Sequence, residues 1–124
     1  MREILFRGKR KDNGEWVYGN SVLFFKETTK IYGEFVQWRE IEAIPETVGQ
    51  FTGLTDKNGK KIFEGDIVKC CSLEYGYTNK EVYYNEDKAR FVLSSLCTDY
   101  DFDEYITLEV IGNIYDNKEL LEEL

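Results

Sequence analysis

Carboxylates are the most numerous groups in this chain that could do chemistry. Asp99, Asp101 and Asp103 alternate with Tyr100, Phe102 and Glu104. In an extended strand the three aspartates would share one face, where oxygen ligands for Ca²⁺ or Mg²⁺ could converge. The spacing is that of the start of a Ca²⁺ loop, yet the glycine and the terminal bidentate glutamate are missing at their offsets. Like charges two residues apart on a strand also repel unless solvated. The reading adopted is an exposed acidic surface of Asp99, Asp101, Asp103 and Glu104, with its aromatics folded inward. A second pair, Glu64 and Asp66, flanks Gly65. Two carboxylates at a suitable separation hydrolyse glycosides, but nothing in the sequence sets a distance or builds a sugar groove here.

Other chemistries lack their parts. The 124 residues contain no histidine. That removes Ser-His-Asp and Cys-His nucleophile pairs, the usual zinc ligand sets and the commonest general base. The cysteines are Cys70, Cys71 and Cys97. An odd count fits free thiols in a reducing cytosol. Adjacent Cys70 and Cys71 face opposite sides of a strand and cannot chelate one ion together. All three read as small apolar packing residues. The expectation is a protein that is not an enzyme and holds no cofactor or metal.

Charge is unevenly placed. Residues 1–68 hold 11 basic and 11 acidic side chains, residues 69–90 hold 4 and 4, and residues 91–124 hold 1 and 9, so the whole excess, 16 − 24 = −8, sits at the end. An acidic end repels nucleic acid, because phosphate binding needs Lys and Arg. The one basic concentration is Arg7, Lys9, Arg10 and Lys11. It reads either as a phosphate-contacting hairpin or, more simply, as a solvated hairpin tip. Nine tyrosines, eight phenylalanines and two tryptophans serve either base stacking or a β core and a protein interface. The lack of a basic groove favours the second. No apolar run of signal-peptide length follows Ile4-Leu5-Phe6, and none approaches the ~18 residues of a spanning helix. The expectation is a cytoplasmic chain with no membrane contact.

These groups must be positioned mostly by strands. Segments such as 16–18, 22–25, 31–36, 62–68, 82–84, 91–93 and 106–115 are rich in aromatic and β-branched residues, and Gly, Asn or Asp interrupts them every ten or so positions. That spacing predicts a small barrel or sandwich. Asn13-Gly14 and Asn58-Gly59 both predict type I′ hairpin turns. They stand 58 − 13 = 45 residues apart in similar surroundings, which is read as shared turn chemistry rather than duplication. Residues 85–88 predict a further hairpin loop. Pro45 ends the strand before it, although residues 41–48 could instead form a turn of helix. At the C-terminus, Asp116 caps a short helix in which Glu119 completes the box, Leu120, Leu121 and Leu124 face inward, and Glu122 and Glu123 stay wet.

One run is more specific. Residues 44–54, Ile-Pro-Glu-Thr-Val-Gly-Gln-Phe-Thr-Gly-Leu, lead directly into residues 55–68, Thr-Asp-Lys-Asn-Gly-Lys-Lys-Ile-Phe-Glu-Gly-Asp-Ile-Val. With the opening Arg2-Glu3-Ile4-Leu5-Phe6-Arg7 and the late Val110-Ile111-Gly112-Asn113-Ile114-Tyr115-Asp116-Asn117, the chain resembles the YopX family of small phage and prophage proteins. The resemblance implies a β-rich fold with a part similar to an SH3-type barrel. It implies no catalytic or metal residue, because the family defines none. Physically, the run also reads as structural: glycines for turns, Gln50, Thr52 and Asp56 for loop backbone, and Glu64-Gly65-Asp66 as a tight turn delivering a buried strand. If it is a site, the exposed portion is Phe51 with the tip formed by Lys57, Asn58, Lys60 and Lys61.

The resulting expectation is an all-β domain over residues 1–124. It is a small, partly open SH3-like barrel with an N-terminal β-hairpin extension and a short C-terminal helix. If it divides, the lobes are 1–45 and 46–124. Function is expected to be that of a phage accessory protein, in the cytoplasm of a bacterial host, that binds a host or phage protein. The alternatives are nucleic-acid association through the basic hairpin and an acidic DNA mimic. Edge strands or the final leucines could also pair two copies.

Overall fold

The alternating apolar residues form twelve strands among the described residues, and no helix there exceeds a single 3₁₀ turn. The computed structural model describes residues 2–95 and 98–121. The strands make three antiparallel sheets and close no barrel. No helix is long and apolar enough to cross a membrane among the described residues. Two compact units divide the chain, Met1–Gly53 and Leu54–Leu124. The seam lies inside a strand.

The first unit contains β1 (Phe6–Lys9), β2 (Trp16–Gly19), β3 (Ser21–Phe25), β4 (Thr28–Tyr32), β5 (Glu40–Glu42) and most of β6 (Gly49–Thr55). The expected hairpin of β1 and β2 is present, with Arg7 opposite Tyr18 and Lys9 opposite Trp16. Its turn is wider than type I′. The Arg10 amide donates to the Glu15 carbonyl at 2.8 Å, and the Gly14 amide donates to the Arg10 carbonyl at 2.9 Å. Gly14 alone in this turn has positive φ, +74°. Asn13 instead accepts the Glu15 amide on its side chain at 2.9 Å, which removes the need for a left-handed Asn. Strand β1 also pairs with β6, Phe6 opposite Gln50. A second sheet has the order β3-β4-β5. Leu5, Ile31, Val36, Ala43 and Phe51 form the buried core. Ile31 presses on Gly19: a Cβ there would lie 2.6 Å from Ile31 Cγ2 and 2.6 Å from the Tyr32 carbonyl oxygen. Pro45 opens a 3₁₀ turn, Pro45–Thr47, so part of residues 41–48 does take the helical alternative. The Thr47 hydroxyl accepts the Lys9 amide at 2.9 Å and donates to the Ile44 carbonyl at 2.6 Å.

The second unit contains β7 (Lys61–Phe63), β8 (Asp66–Ser72), β9 (Gly76–Asn85), β10 (Arg90–Ser95), β11 (Thr98–Tyr100) and β12 (Thr107–Asn113). The last five form one sheet in the order β11-β10-β9-β8-β12. Glu64-Gly65-Asp66 makes the tight turn expected of it. Gly65 takes φ +91°, and the buried Asp66 carboxylate accepts the Phe63 amide at 2.7 Å. The strand it delivers carries Ile67, Val68 and Cys70, all fully buried. Ile62, Val68, Cys70, Val82 and Leu93 form the core, and Tyr100, Phe102, Tyr105, Leu108 and Val110 pack on it. Each buried Val, Leu or Ile side chain contributes roughly 1.5–3 kcal/mol.

Two local expectations need correction. Asn58-Gly59 is not a type I′ turn either. The Gly59 amide donates to the Asp56 carbonyl at 3.0 Å and the Asp56 amide to the Lys60 carbonyl at 2.8 Å. With Gly59 at φ +80°, this is a type I turn followed by a left-handed glycine. The two Asn-Gly segments therefore close in different ways. At the C-terminus the described part of the expected short helix is a 3₁₀ turn, Lys118–Leu121. The Asn113 side chain, rather than Asp116, organises its approach by accepting the Tyr115 and Asp116 amides at 3.0 and 2.9 Å. Leu124, Glu122 and Glu123 lie outside the described residues. The loop after Asn85 is a hairpin loop as expected, with Ala89 at φ +55° and the Lys88 amide on the Asn85 side chain at 3.0 Å.

Candidate functional site

The acidic run does not converge on an ion. Strand β11 stops at Tyr100, and Asp101 caps a 3₁₀ turn, Phe102–Glu104, so Asp99, Asp101 and Asp103 no longer share a strand face. Asp101 and Glu104 exchange backbone amides in a capping box. Asp101 also meets Arg90 at 3.0 Å. Asp99 accepts the Tyr83 hydroxyl and the Asn85 amide nitrogen. Tyr83's donation, helped by Asn85 and opposed by burial, holds the Asp99 carboxyl below the usual carboxylate range. Tyr83→Phe is therefore expected to move the Asp99 titration upward, followed by NMR of the side-chain carboxyl. An unmoved midpoint would show that the hydroxyl is not what holds it. The aromatics of this segment fold inward as expected, Tyr100, Phe102 and Tyr105 packing on the core.

In the basic hairpin the side chains are already engaged, although Lys9 and Arg10 are half-buried and Lys11 is exposed. Arg7 is buried, with its guanidinium 4.6 Å from the Trp16 ring, and Lys9 lies 5.6 Å from the same ring. Arg10 pairs with Asp12 at 2.8 Å and Lys11 with Glu42 at 3.2 Å. The expected patch is thus a set of ion pairs and ring contacts.

The central run divides likewise. Phe51 is buried, against the expectation of exposure, because it shares an inward face of β6 with Gly49 and its amide bonds the Leu5 carbonyl at 2.8 Å. Lys57, Asn58 and Lys60 are exposed at their tip and Lys61 is half-buried. That tip is organised by Asp56, whose carboxylate accepts the amides of Asn58, Lys60 and Val110, each at 2.9 Å. The Lys57 amide bonds the Leu108 carbonyl at 2.9 Å, and its ammonium lies 3.6 Å from Glu109. The tip therefore docks on the outer edge of β12 through its own backbone.

Cys70 is a packing residue. Its thiol donates to the Val68 carbonyl at 3.5 Å, and burial, opposed by Lys80, pushes it up to about 12. It stays protonated at neutral pH and lacks the thiolate that reactivity requires. Cys71 is half-buried. Cys97 lies outside the described residues.

The surface that stands out was read from sequence only as a strand. On β3, Leu23, Phe24 and Phe25 are exposed by 40, 74 and 68%. They line a recess of about 430 Å³ with Val22, Lys30 and Glu40. Strand β3 is the outer strand of its sheet, and its five residues, Ser21-Val22-Leu23-Phe24-Phe25, carry no charge, proline or bulge. One signal was available. Neighbouring residues of a strand face opposite sides, so Phe24 and Phe25 cannot both enter one core. A second exposed apolar group lies at the β8–β9 tip, where Leu73, Tyr75 and Tyr77 stand out, with Ile106 also exposed.

Fold and surface together define a small two-unit antiparallel β protein with exposed apolar side chains on β3 and at the β8–β9 tip. The family model of the YopX protein matches residues 5–122. The chain belongs to the YopX family. A curated relative, the SPbeta prophage-derived uncharacterized protein YopX of Bacillus subtilis (strain 168), is 37% identical over 70 residues. That match covers 52% of this chain and 52% of the relative, so it spans about half of that protein's length. The crystal structure of protein EF1440 from Enterococcus faecalis matches with a TM-score of 0.59 and 23% identity, over 98% of this chain and 99% of that one. At that identity the likeness concerns the fold.

Proposed function

We propose that the protein is a non-enzymatic binding module, an accessory protein of a phage or prophage that captures a host or phage protein in the host cytoplasm. The observation that carries this reading is the uncharged, exposed outer strand β3 with Leu23, Phe24 and Phe25. An open strand edge beside apolar side chains accepts an added strand, backbone bonds giving affinity and side-chain recesses giving selectivity. Two other edges are occupied: Lys57 and Asp56 bond the backbone of β12, and Lys11 and Arg10 bond or bridge the segment of β5 and Ala43. Natural edges usually carry Lys, Pro or a bulge as protection, and β3 carries none. The prophage origin named for the Bacillus relative supports the accessory role. The strand order β11-β10-β9-β8-β12, with a 3₁₀ turn ahead of the last strand, supports reading unit 2 as the SH3-type portion.

The nucleic-acid alternative draws little support from a hairpin whose Arg7 is buried and whose Arg10 and Lys11 face Asp12 and Glu42. The mimic alternative is weakened in the same way by the internal partners of Asp99 and Asp101. The test is capture from infected host lysate by the tagged full chain, with Leu23→Ser/Phe24→Ser/Phe25→Ser as the comparison. The expected result is one partner in near-stoichiometric amount with the native chain and its loss with the variant, both chains having the same circular dichroism. Recovery of no such partner, or one that survives the three substitutions, overturns the reading. Pairing of β3 between two copies would appear instead as a doubled mass in solution.

A further inference from the structure

We infer that unit 2 carries a separate recess for a basic, extended peptide segment, beside the β8–β9 tip. This goes beyond the β3 reading, and neither surface needs the other. The recess measures about 310 Å³, and its lining includes Leu73, Glu74, Tyr75, Glu104, Tyr105 and Ile106. That volume lies at the low end for ligand pockets, which suits one long side chain and its neighbour rather than a free cofactor.

Its walls are apolar and unusually bare. Leu73, Tyr75 and Ile106 are exposed by 93, 76 and 58%. Large apolar side chains gathered from two segments at one place mark an interaction surface. The recess is also preformed. The Tyr75 amide bonds the Ser72 hydroxyl at 2.9 Å, Gly76 turns the tip with φ +70°, and the Ile106 amide bonds the Cys71 carbonyl at 2.9 Å. Little ordering is then left to oppose binding.

Charge selects the occupant. Unit 1 holds 8 basic and 8 acidic side chains, 8 − 8 = 0, whereas unit 2 holds 8 and 16, 8 − 16 = −8. The field around the recess draws cations and repels phosphate backbones. Two carboxylates line it, Glu74 and Glu104. Among the described residues no Lys or Arg pairs with either. Glu104 is fixed in place by the Asp101 amide. The rings beneath are already used: Lys80, itself buried, sets its ammonium 4.6 Å from the Tyr100 ring and 5.7 Å from the Tyr105 ring. An incoming guanidinium or ammonium is therefore directed to Glu74 and Glu104, while its aliphatic stem covers Leu73, Tyr75 and Ile106. A segment alternating Arg or Lys with an apolar residue satisfies both demands.

The test is fluorescence anisotropy on the full chain with three labelled probes: a short Arg–Leu alternating peptide, its Glu–Leu counterpart and a single-stranded oligonucleotide. The Arg–Leu peptide is expected to bind, more weakly as salt rises, and the other two are not. Glu74→Gln/Glu104→Gln should weaken binding by about tenfold, since two exposed charge pairs are lost together. The side-chain carbonyl that Glu104→Gln retains still offers an oxygen to the Asp101 amide. Leu73→Ser/Ile106→Ser, on exposed positions, should abolish binding with the charges intact. The β3 triple variant should bind as the native chain does. No binding of the Arg–Leu peptide, equal binding of the Glu–Leu peptide, preference for the oligonucleotide, indifference to the Glu pair, or loss with the β3 variant would each overturn the assignment.

Discussion

Gly19→Ala is expected to destabilise the protein by about 3 kcal/mol, seen as a fall in melting temperature on the order of 10 °C. The added Cβ would stand 2.6 Å from Ile31 Cγ2 and 2.6 Å from the Tyr32 carbonyl oxygen. The first obstacle is a fully buried side chain. The second is backbone of β4, the central strand of its sheet, which cannot rotate away. Relief requires β2 and β4 to separate around the core of unit 1. Gly14→Ala makes the contrast. No atom lies within 4 Å of that Cβ, and only the backbone angle, φ +74°, opposes it, at a cost of ~1–2 kcal/mol. Chemical denaturation of the two variants should rank them in that order. Equal losses would mean that the close approach of β4 is not what makes Gly19 necessary.

Asp56→Asn should cost about 2–3 kcal/mol at neutral pH. The carboxylate takes three backbone amides, those of Asn58 and Lys60 on one oxygen and that of Val110 on the other. An amide side chain has one acceptor oxygen, so it turns an N–H₂ group toward at least one N–H donor. Burial alone would raise the Asp56 carboxyl, but the Val110, Lys60 and Asn58 amides, with the Lys60 charge, hold it below its ordinary value. The sign follows from linkage. A carboxyl depressed in the folded state adds stability that is complete above its unfolded value, about 3.9, and is lost as pH falls through the lower folded value. The gap between native and Asp56→Asn chains should therefore be full at pH 7 and shrink below about pH 4. Urea denaturation at both pH values measures it. A gap independent of pH would refute the charge-based account.

The strands and the positions of their turns were legible because they depend on side chains a few residues apart. Glu64-Gly65-Asp66 is the clearest case: one glycine and one short acceptor define a turn that a buried strand must follow. Turn type was less legible. Asn13 and Asp56 each accept nearby amides on the side chain, and this competes with the left-handed backbone that Asn-Gly otherwise favours. Phe51 was misplaced because a turn lies close behind it, although alternation from Gly49 along β6 puts it inside. The acidic run misled in the opposite way. Its alternation is real in sequence, but the Asp101–Glu104 capping box breaks the strand after Tyr100. Of the partners that neutralise the basic hairpin, Asp12 adjoins Arg10 in sequence, but Glu42, which pairs with Lys11, is remote. The exposure of β3 was only partly accessible: adjacent Phe24 and Phe25 cannot both face one core, but that the sheet ends at this strand depends on topology.

Strand β8 has a temporal consequence. One of its neighbours, β9, follows it directly, but the other, β12, pairs Thr107 with Cys71 and Asn113 with Asp66. During synthesis this strand, with its fully buried Ile67, Val68 and Cys70, therefore waits with one side unsealed until the ribosome has passed Asn113 and that residue has left the exit tunnel. The Asp56 carboxylate waits equally long for the Val110 amide. Such late, non-local closure slows maturation and leaves the nascent chain open to chaperones or to mispairing with its neighbours on a polysome.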